Sequence, residues 1–319
     1  MGSPVNYSGD ASACSDHGTH VAGTLGGSSY GVAPNVTLHD IQTLGCDGGL
    51  KSDSIAGLDW IKANHVKPAV VNMSLGGDFS SAQNAAIQDV VNSGITVVVS
   101  AGNDNTDACN QSPASAPDAL TVGATEKDDD RASYSNYGTC LDLFAPGSNI
   151  LSATNSSNTA SARKYGTSMA APHVAGAVAN YLEKNPTATP ADVRKGIVDN
   201  ASLNKVNGPG SGSPNRLLYS RVHNANAPSV PQNFNLQDMY CYGKKNASWS
   251  ASSGNVSHYE IWASPDSDWN YPSKRYETTG ISRLVNFNQD RYVRVRACNG
   301  EECSMLTPAE YSKYHSACY

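Results

Sequence analysis

Three short segments set reactive side chains among small residues: DHGTHVAGTLGG (Asp16–Gly27), VSAGNDN (Val99–Asn105) and YGTSMAAPHVAGAVANYLEKNP (Tyr165–Pro186). In the third, Ser168 opens an apolar helical pattern, where free backbone N–H groups and the positive end of the helix dipole favour an adjacent anion. A serine that attacks a carbonyl carbon generates such an anion. In the second, an apolar run delivers Asn103 at its C-terminal end, where a side-chain amide can donate to an oxyanion. In the first, His17 opens another small-residue helix and can serve Ser168 as general base. Singly, each has a plainer reading: helix N-cap, turn former, ordinary or metal-bound histidine. Zinc is the weakest of these, because HGTH lacks the Glu and the i,i+4 histidine spacing of HExxH. A nucleophile elbow is disfavoured too, since GTSMA is not G-x-S-x-G and the histidine precedes the serine.

The elements that must hold these side chains follow from periodicity. Up to about residue 222, buried-looking runs (Pro68–Leu75, Ile95–Ala101, Leu120–Ala124) alternate with helical patterns at Ser54–Asn64, Ser81–Ser93 and Thr167–Lys184. Continuous apolar strands separated by helices predict an α/β, doubly wound parallel sheet with helices on both faces. The segment NANAPSVPQNF, from Asn224, reads as a Pro/Asn linker, and short alternating strands follow it: NASWSAS, HYEIWAS, RLVNF and RYVRVRACN. The expected organisation is a first domain over 1–222, a linker over 223–230 and a β-sandwich over 231–319.

Together the three segments closely resemble the subtilisin-like serine proteases (subtilases), in particular the proteinase K-like branch with its aqualysin-type enzymes, over roughly residues 10–222. HGTHVAGT, the SLGG of Ser74–Gly77, the AGN of Ala101–Asn103 and GTSMAAPHVAG stand in family order. The resemblance implies His17 as general base, Ser168 as nucleophile, and Asn103 with the Ser168 N–H as oxyanion hole. It implies a substrate backbone held along Ser74, Leu75 and Gly76 and a specificity pocket walled by Ala101 and Gly102. It also implies disulfides Cys14–Cys46 and Cys109–Cys140, and a calcium site at the carbonyls of Pro117 and Ala119 with Asp142. His20 and His173, inside the motifs, are read as packing residues. The loop after Cys46 is one residue shorter than in the relatives, which bears on the outer subsites.

One departure accompanies the agreement. The family order is Asp, His, Ser, with the Asp on a central strand about thirty residues before the histidine. Here the acids ahead of His17 are Asp10 and Asp16, and neither follows an apolar strand. No triad aspartate is assigned, so the Asp-bearing strand is expected to lie outside this chain. The expected function is a secreted serine endopeptidase of broad specificity acting on proteins and peptides. The alternative is a noncatalytic, peptide-binding pseudoprotease.

Composition agrees with export. Of 319 residues only 16% are charged, and Lys+Arg 22 against Asp+Glu 28 gives −6, the wrong sign for a nucleic-acid partner. No apolar run approaches the roughly 20 residues that cross a bilayer, so no membrane partner is expected. The 8 cysteines lack paired CxxC zinc spacing and read as disulfides. A monomer is expected. The second domain resembles a fibronectin type III module through its Pro-x-x-Pro opening, Trp249, Tyr259 and Tyr292. Cys298 with Cys303, and Cys241 with Cys318, are its preferred pairs. Trp262, Trp269 and Tyr271 are read as sandwich core in preference to a polymer-binding surface.

Overall fold

The computed structural model describes residues 5–8, 15–46, 48–220, 231–238, 244–252, 256–265, 273–286, 291–298, 303, 304, 307 and 310–312. The chain divides into two units, Met1–Val222 and His223–Tyr319.

The first unit begins with β1 (Val5–Asn6), α1 (His17–Gly26), β2 (Ile41–Gln42), α2 (Lys51–Asn64), β3 (Val70–Met73), β4 (Gly77–Asp78) and α3 (Ser81–Asn92). It continues through β5 (Thr96–Ser100), β6 (Gln111–Ser112), β7 (Leu120–Thr125), β8 (Leu143–Pro146), β9 (Ile150–Ala153) and β10 (Ser161–Lys164). α4 (Thr167–Lys184), α5 (Pro190–Val198), β11 (Ser202–Leu203) and β12 (Arg216–Leu217) complete it. Six strands form one sheet in the order β11-β12-β8-β7-β5-β3, parallel except where β11 meets β12.

Every residue of β5 and β7 is buried, as the apolar runs require. Successive side chains of β5 take opposite faces. Val98 joins the cluster of Val174, Val178 and Ile197 from α4 and α5, while Val97 and Val99 pack with Leu58, Ile87 and Val90 from α2 and α3. Helices therefore cover both faces, and burying each such valine contributes roughly 1.5–3 kcal/mol. The predicted helix at Ser54–Asn64 starts three residues earlier, at Lys51, because the Asp53 carboxylate reaches back to accept the Leu50 N–H at 3.1 Å. β2 pairs with β1 instead of joining the main sheet, so β2 and β3, the strands on either side of α2, belong to different sheets.

A hairpin of β9 and β10 lies against α1. His20 is fully buried at this contact and directs Nε2 between the carbonyls of Ile150 (3.0 Å) and Ala162 (3.1 Å), while Ser152 Oγ donates to the His20 carbonyl at 2.9 Å. His20 is thus a hydrogen-bonding clip between helix and hairpin, beyond the packing role expected of it. Gly23, one turn on, faces the same hairpin, and a Cβ there would stand 2.5 Å from Ser152 Oγ.

The described elements of the second unit are β13 (Gln232–Asp238), β14 (Lys244–Ser250), β15 (His258–Ser264), β16 (Ser273–Thr278), β17 (Ser282–Asn286), β18 (Arg291–Cys298) and β19 (Glu310–Ser312). Two antiparallel sheets, β13-β14-β17 and β16-β15-β18-β19, share a core. Alternate residues supply it: Tyr259, Ile261 and Ala263 from β15, and Val293, Val295 and Ala297 from β18, against Ala247 and Trp249 of β14. The Trp249 ring lies 5.2 Å from that of Tyr259. Trp262 corrects its core reading. The alternation turns it to the outer face, half-buried, with the Arg296 guanidinium 5.0 Å from its ring and its Nε1–H on Glu260 at 2.9 Å. Trp269 and Tyr271 lie outside the described residues.

Candidate active site

The site is built on the N-terminus of α4. Gly166 takes φ +143 and caps the helix, so Thr167 and Ser168 are its first two residues. Thr167 anchors the neighbouring loop. Its N–H (2.8 Å) and its Oγ1 (2.9 Å) both donate to Asn103 Oδ1, while Oγ1 accepts the Gly102 N–H at 3.1 Å. With both donors on Oδ1, the Asn103 amide is held in one orientation. A Cβ built on Gly166 would lie 3.5 Å from Asn103 Nδ2 and 3.7 Å from the Ser168 backbone nitrogen. Two N–H donors thus flank one small space, kept open because residue 166 has no side chain. Such a pair can stabilise a developing oxyanion. Thr167 escaped the sequence reading. The signal was its place in GTS, directly before the candidate nucleophile.

Ser74 secures Ser168 from the other side. Pro172 inside α4 has no N–H to give to the carbonyl of Ser168, four residues earlier. Ser74 Oγ supplies that bond at 2.8 Å and itself accepts from Asn72 Nδ2 at 3.0 Å. Ser168 Oγ is half-buried and donates to the Ser74 carbonyl at 3.4 Å. Ser74, Leu75 and Gly76 follow β3 outside any strand, with Gly76 exposed. Ala101 and Gly102 continue β5 and are tied to Asn136, whose Nδ2 donates to the Ala101 carbonyl and whose N–H donates to that of Gly102. Gly102 has φ +100, and a Cβ on it would meet Asn136 and Gln111 at 2.3 Å, so no other residue fits there.

His17 is the first residue of α1, which packs against α4. Its imidazole has no hydrogen-bond partner among the described residues. Burial holds its pKa below the ordinary histidine value, with the positive charge of Lys164 and then His20 lowering it further and Asp16 opposing them. Asp16 stands at the N-cap position, yet its carboxylate caps nothing: it pairs with Lys164 Nζ at 2.6 Å. That bond holds the Asp16 carboxyl below its usual range. Asp16 is therefore committed to β10 and does not orient His17. His173 is half-buried, and its Nδ1 bonds the Met169 carbonyl within α4 at 2.8 Å.

The expected calcium ligands are a different matter. The Ala119 carbonyl accepts Arg194 Nη1 at 2.9 Å, and Asp142 Oδ1 is paired with Arg194 Nη2. Asp142 Oδ2 accepts the Thr121 N–H at 2.8 Å. Only Pro117, exposed on its loop, has a carbonyl to spare. A guanidinium already stands on two of the three expected ligands, where a second cation would be repelled, so this ligand set as built does not fit calcium. Burial, the largest effect, pushes the Asp142 carboxyl up against the opposing pull of Arg194. Another cluster, His258, Glu260 and Cys298, has ligand-like spacing, but Cys298 is bonded to Cys303 and offers no thiolate.

Cys109 and Cys140 form the disulfide that the resemblance implies. Cys46 is disulfide-bonded, while Cys14, Cys241 and Cys318 lie outside the described residues.

A parallel sheet wound on both faces, with Ser168 and Asn103 brought together at one helix start, is an arrangement of subtilisin type. The subtilase family model matches residues 3–243, and the chain belongs to that family. It is 57% identical over 217 residues to an extracellular serine proteinase of Thermus sp. (strain Rt41A), covering 68% of this chain and 53% of that protein. It is 51% identical to alkaline serine exoprotease A of Vibrio alginolyticus, covering 68% and 40%. The chain therefore spans about half the length of these relatives. A crystal structure of a cold-adapted subtilisin-like serine proteinase superposes with TM-score 0.64 at 47% identity, covering 68% of this chain and 81% of that one.

Proposed function

We propose that this chain belongs to a secreted serine endopeptidase that hydrolyses peptide bonds of proteins with broad specificity. The observation that supports the reading is that Asn103 Nδ2 and the Ser168 backbone nitrogen both border the small space beside Gly166. Ser168 Oγ attacks the scissile carbonyl carbon, and its proton passes to His17. The carbonyl oxygen, now an anion, is held by the two donors. The C–N bond then breaks, the leaving amine takes the proton from His17, and water, activated by the same imidazole, releases the acyl group. Ser74, Leu75 and Gly76, whose backbone joins no strand, receive the substrate as an added strand, with Ala101 and Gly102 lining the pocket beside it. Asp16 is not the orienting acid, because Lys164 holds it.

The extracellular location rests on the names of the relatives, on the disulfides and on the low charge. Protein or peptide substrates are the partners of this reading. A monomer with no nucleic-acid or membrane partner belongs to the same proposal; no described helix is long and apolar enough to cross a membrane. Subtilases commonly bind calcium, and a calcium requirement of the whole protein would rest on sites other than Asp142. The second unit is read as fibronectin type III-like from its three-plus-four strand order.

A serine-directed phosphonyl fluoride should label Ser168 alone, which peptide mass mapping reads directly. In the full-length protein, Asn103→Leu should lower kcat about 10²–10³-fold with KM little changed, the magnitude found for such a donor in another subtilase. Labelling at another residue, or full turnover in Ser168→Ala, would sink the proposal.

A further inference from the structure

We infer that Arg194 is a built-in cation standing at the locus of Ala119 and Asp142, joining α5 to the starts of two neighbouring strands and closing that locus to calcium. Ala119 immediately precedes β7 and Asp142 immediately precedes β8, and the two strands are parallel neighbours. Their N-terminal ends therefore present a carbonyl and a carboxylate side by side. Left alone, these oxygens would attract a hard cation.

α5 brings the cation from within the chain. Val193, Ile197 and Val198 bury one side of the helix in the core shared with α4. Arg194 flanks that side, so its stem lies along the protein while its planar fork reaches both oxygens. A guanidinium stays charged and carries only donors, so it satisfies the two acceptors without drawing an ion from solvent. Arg216 of β12 adds a second positive charge that acts on the same carboxylate. A divalent ion would have to expel a tethered cation and settle near another. The locus lies at the strand starts, whereas Asn103 follows the C-terminal end of β5. Its effect therefore falls on stability and not on the chemical step.

The test is thermal unfolding of the full chain with chelator and with millimolar calcium, in four forms: unsubstituted, Asp142→Asn, Arg194→Gln and the double variant. The unsubstituted chain should show no calcium response that Asp142→Asn removes. Arg194→Gln should unfold several degrees lower and should gain a calcium-dependent rise in midpoint that the double variant lacks, because ligand binding to the folded state alone raises the midpoint. If Arg194→Gln fails to fold, calorimetric calcium titration of the unsubstituted chain against Asp142→Asn decides, equal binding being the expected result. A calcium response of the unsubstituted chain that disappears in Asp142→Asn would overturn the inference. So would an Arg194→Gln form no more responsive to calcium than its parent.

Discussion

His17 can take the proton of Ser168 only while neutral, so turnover must fall as pH drops through its folded pKa. Burial, Lys164 and His20 all lower that value, which places the acid limb of kcat/KM below the ordinary histidine value of about 6.5. Lys164→Met removes that cation and leaves the Asp16 charge, which favours the protonated ring, unopposed. Loss of the cation raises the His17 pKa, so the limb should move to higher pH. A limb that stays put, or moves the other way, would remove His17 from the role of base. Thr167 has its own test. Thr167→Val deletes the hydroxyl that bridges Asn103 Oδ1 and the Gly102 N–H. Of the two bonds lost, the one to Asn103 is worth about 0.5–1.5 kcal/mol, and because the amide it orients acts on the transition state, kcat should fall roughly three- to tenfold while KM holds. Turnover of a short chromogenic peptide measures this, and a change confined to KM would mean that Thr167 does not position the amide.

At the level of elements, α5 offers a clean perturbation. Thr189 Oγ1 accepts the Asp192 N–H at 3.2 Å while the Asp192 carboxylate accepts the Thr189 N–H at 3.0 Å, so the two residues cap the helix reciprocally. Thr189→Ala should cost about 1 kcal/mol, a midpoint shift of about 2–4 °C for a unit of this size. An unchanged midpoint would show that the core contacts of α5 hold it without the cap. Much of this architecture is legible from the sequence because it is local. The apolar runs at 95–101 and 120–124 become β5 and β7, and α4 spans Thr167–Lys184 as its periodicity predicts. Two of the motif segments bring Ser168 and Asn103 together for the same reason: each sits at the end of a strongly patterned element. Arg194 was not legible. Its partners are 75 and 52 residues away in the chain, and an arginine on an amphipathic helix reads as a solvated side chain. Lys164 is hidden likewise, since nothing within SARKYG points to Asp16.

For the molecule as a whole, the packed clusters respect the boundary between the two units. Those around β5, β7 and β8 draw only on residues before 222, and the one around Trp249 draws only on residues after 231. Each unit thus has its own core, and scanning calorimetry should resolve two transitions, the one belonging to the first unit persisting when 223–319 is deleted. A single merged transition, lost on deletion, would show that one core depends on the other. The Cys109–Cys140 bond, with a sequence separation of 31, belongs to the first transition. The chain-entropy model assigns such a closure on the order of 3–4 kcal/mol, so replacing both cysteines by serine should lower that transition alone. The seam between α1 and the β9–β10 hairpin bears on inheritance. Position 23 has no room for a side chain while position 152 carries one, the clearance being 2.5 Å from Ser152 Oγ. Shedding the Ser152 hydroxyl alone does not make room, because a Cβ at 23 would also stand 3.2 Å from the Ala153 Cβ and backbone nitrogen, so the hairpin itself would have to give. Glycine at 23 should therefore persist among descendants of this chain, and a mutagenesis library that randomises α1 should recover almost nothing but Gly at 23, even where 152 is randomised with it.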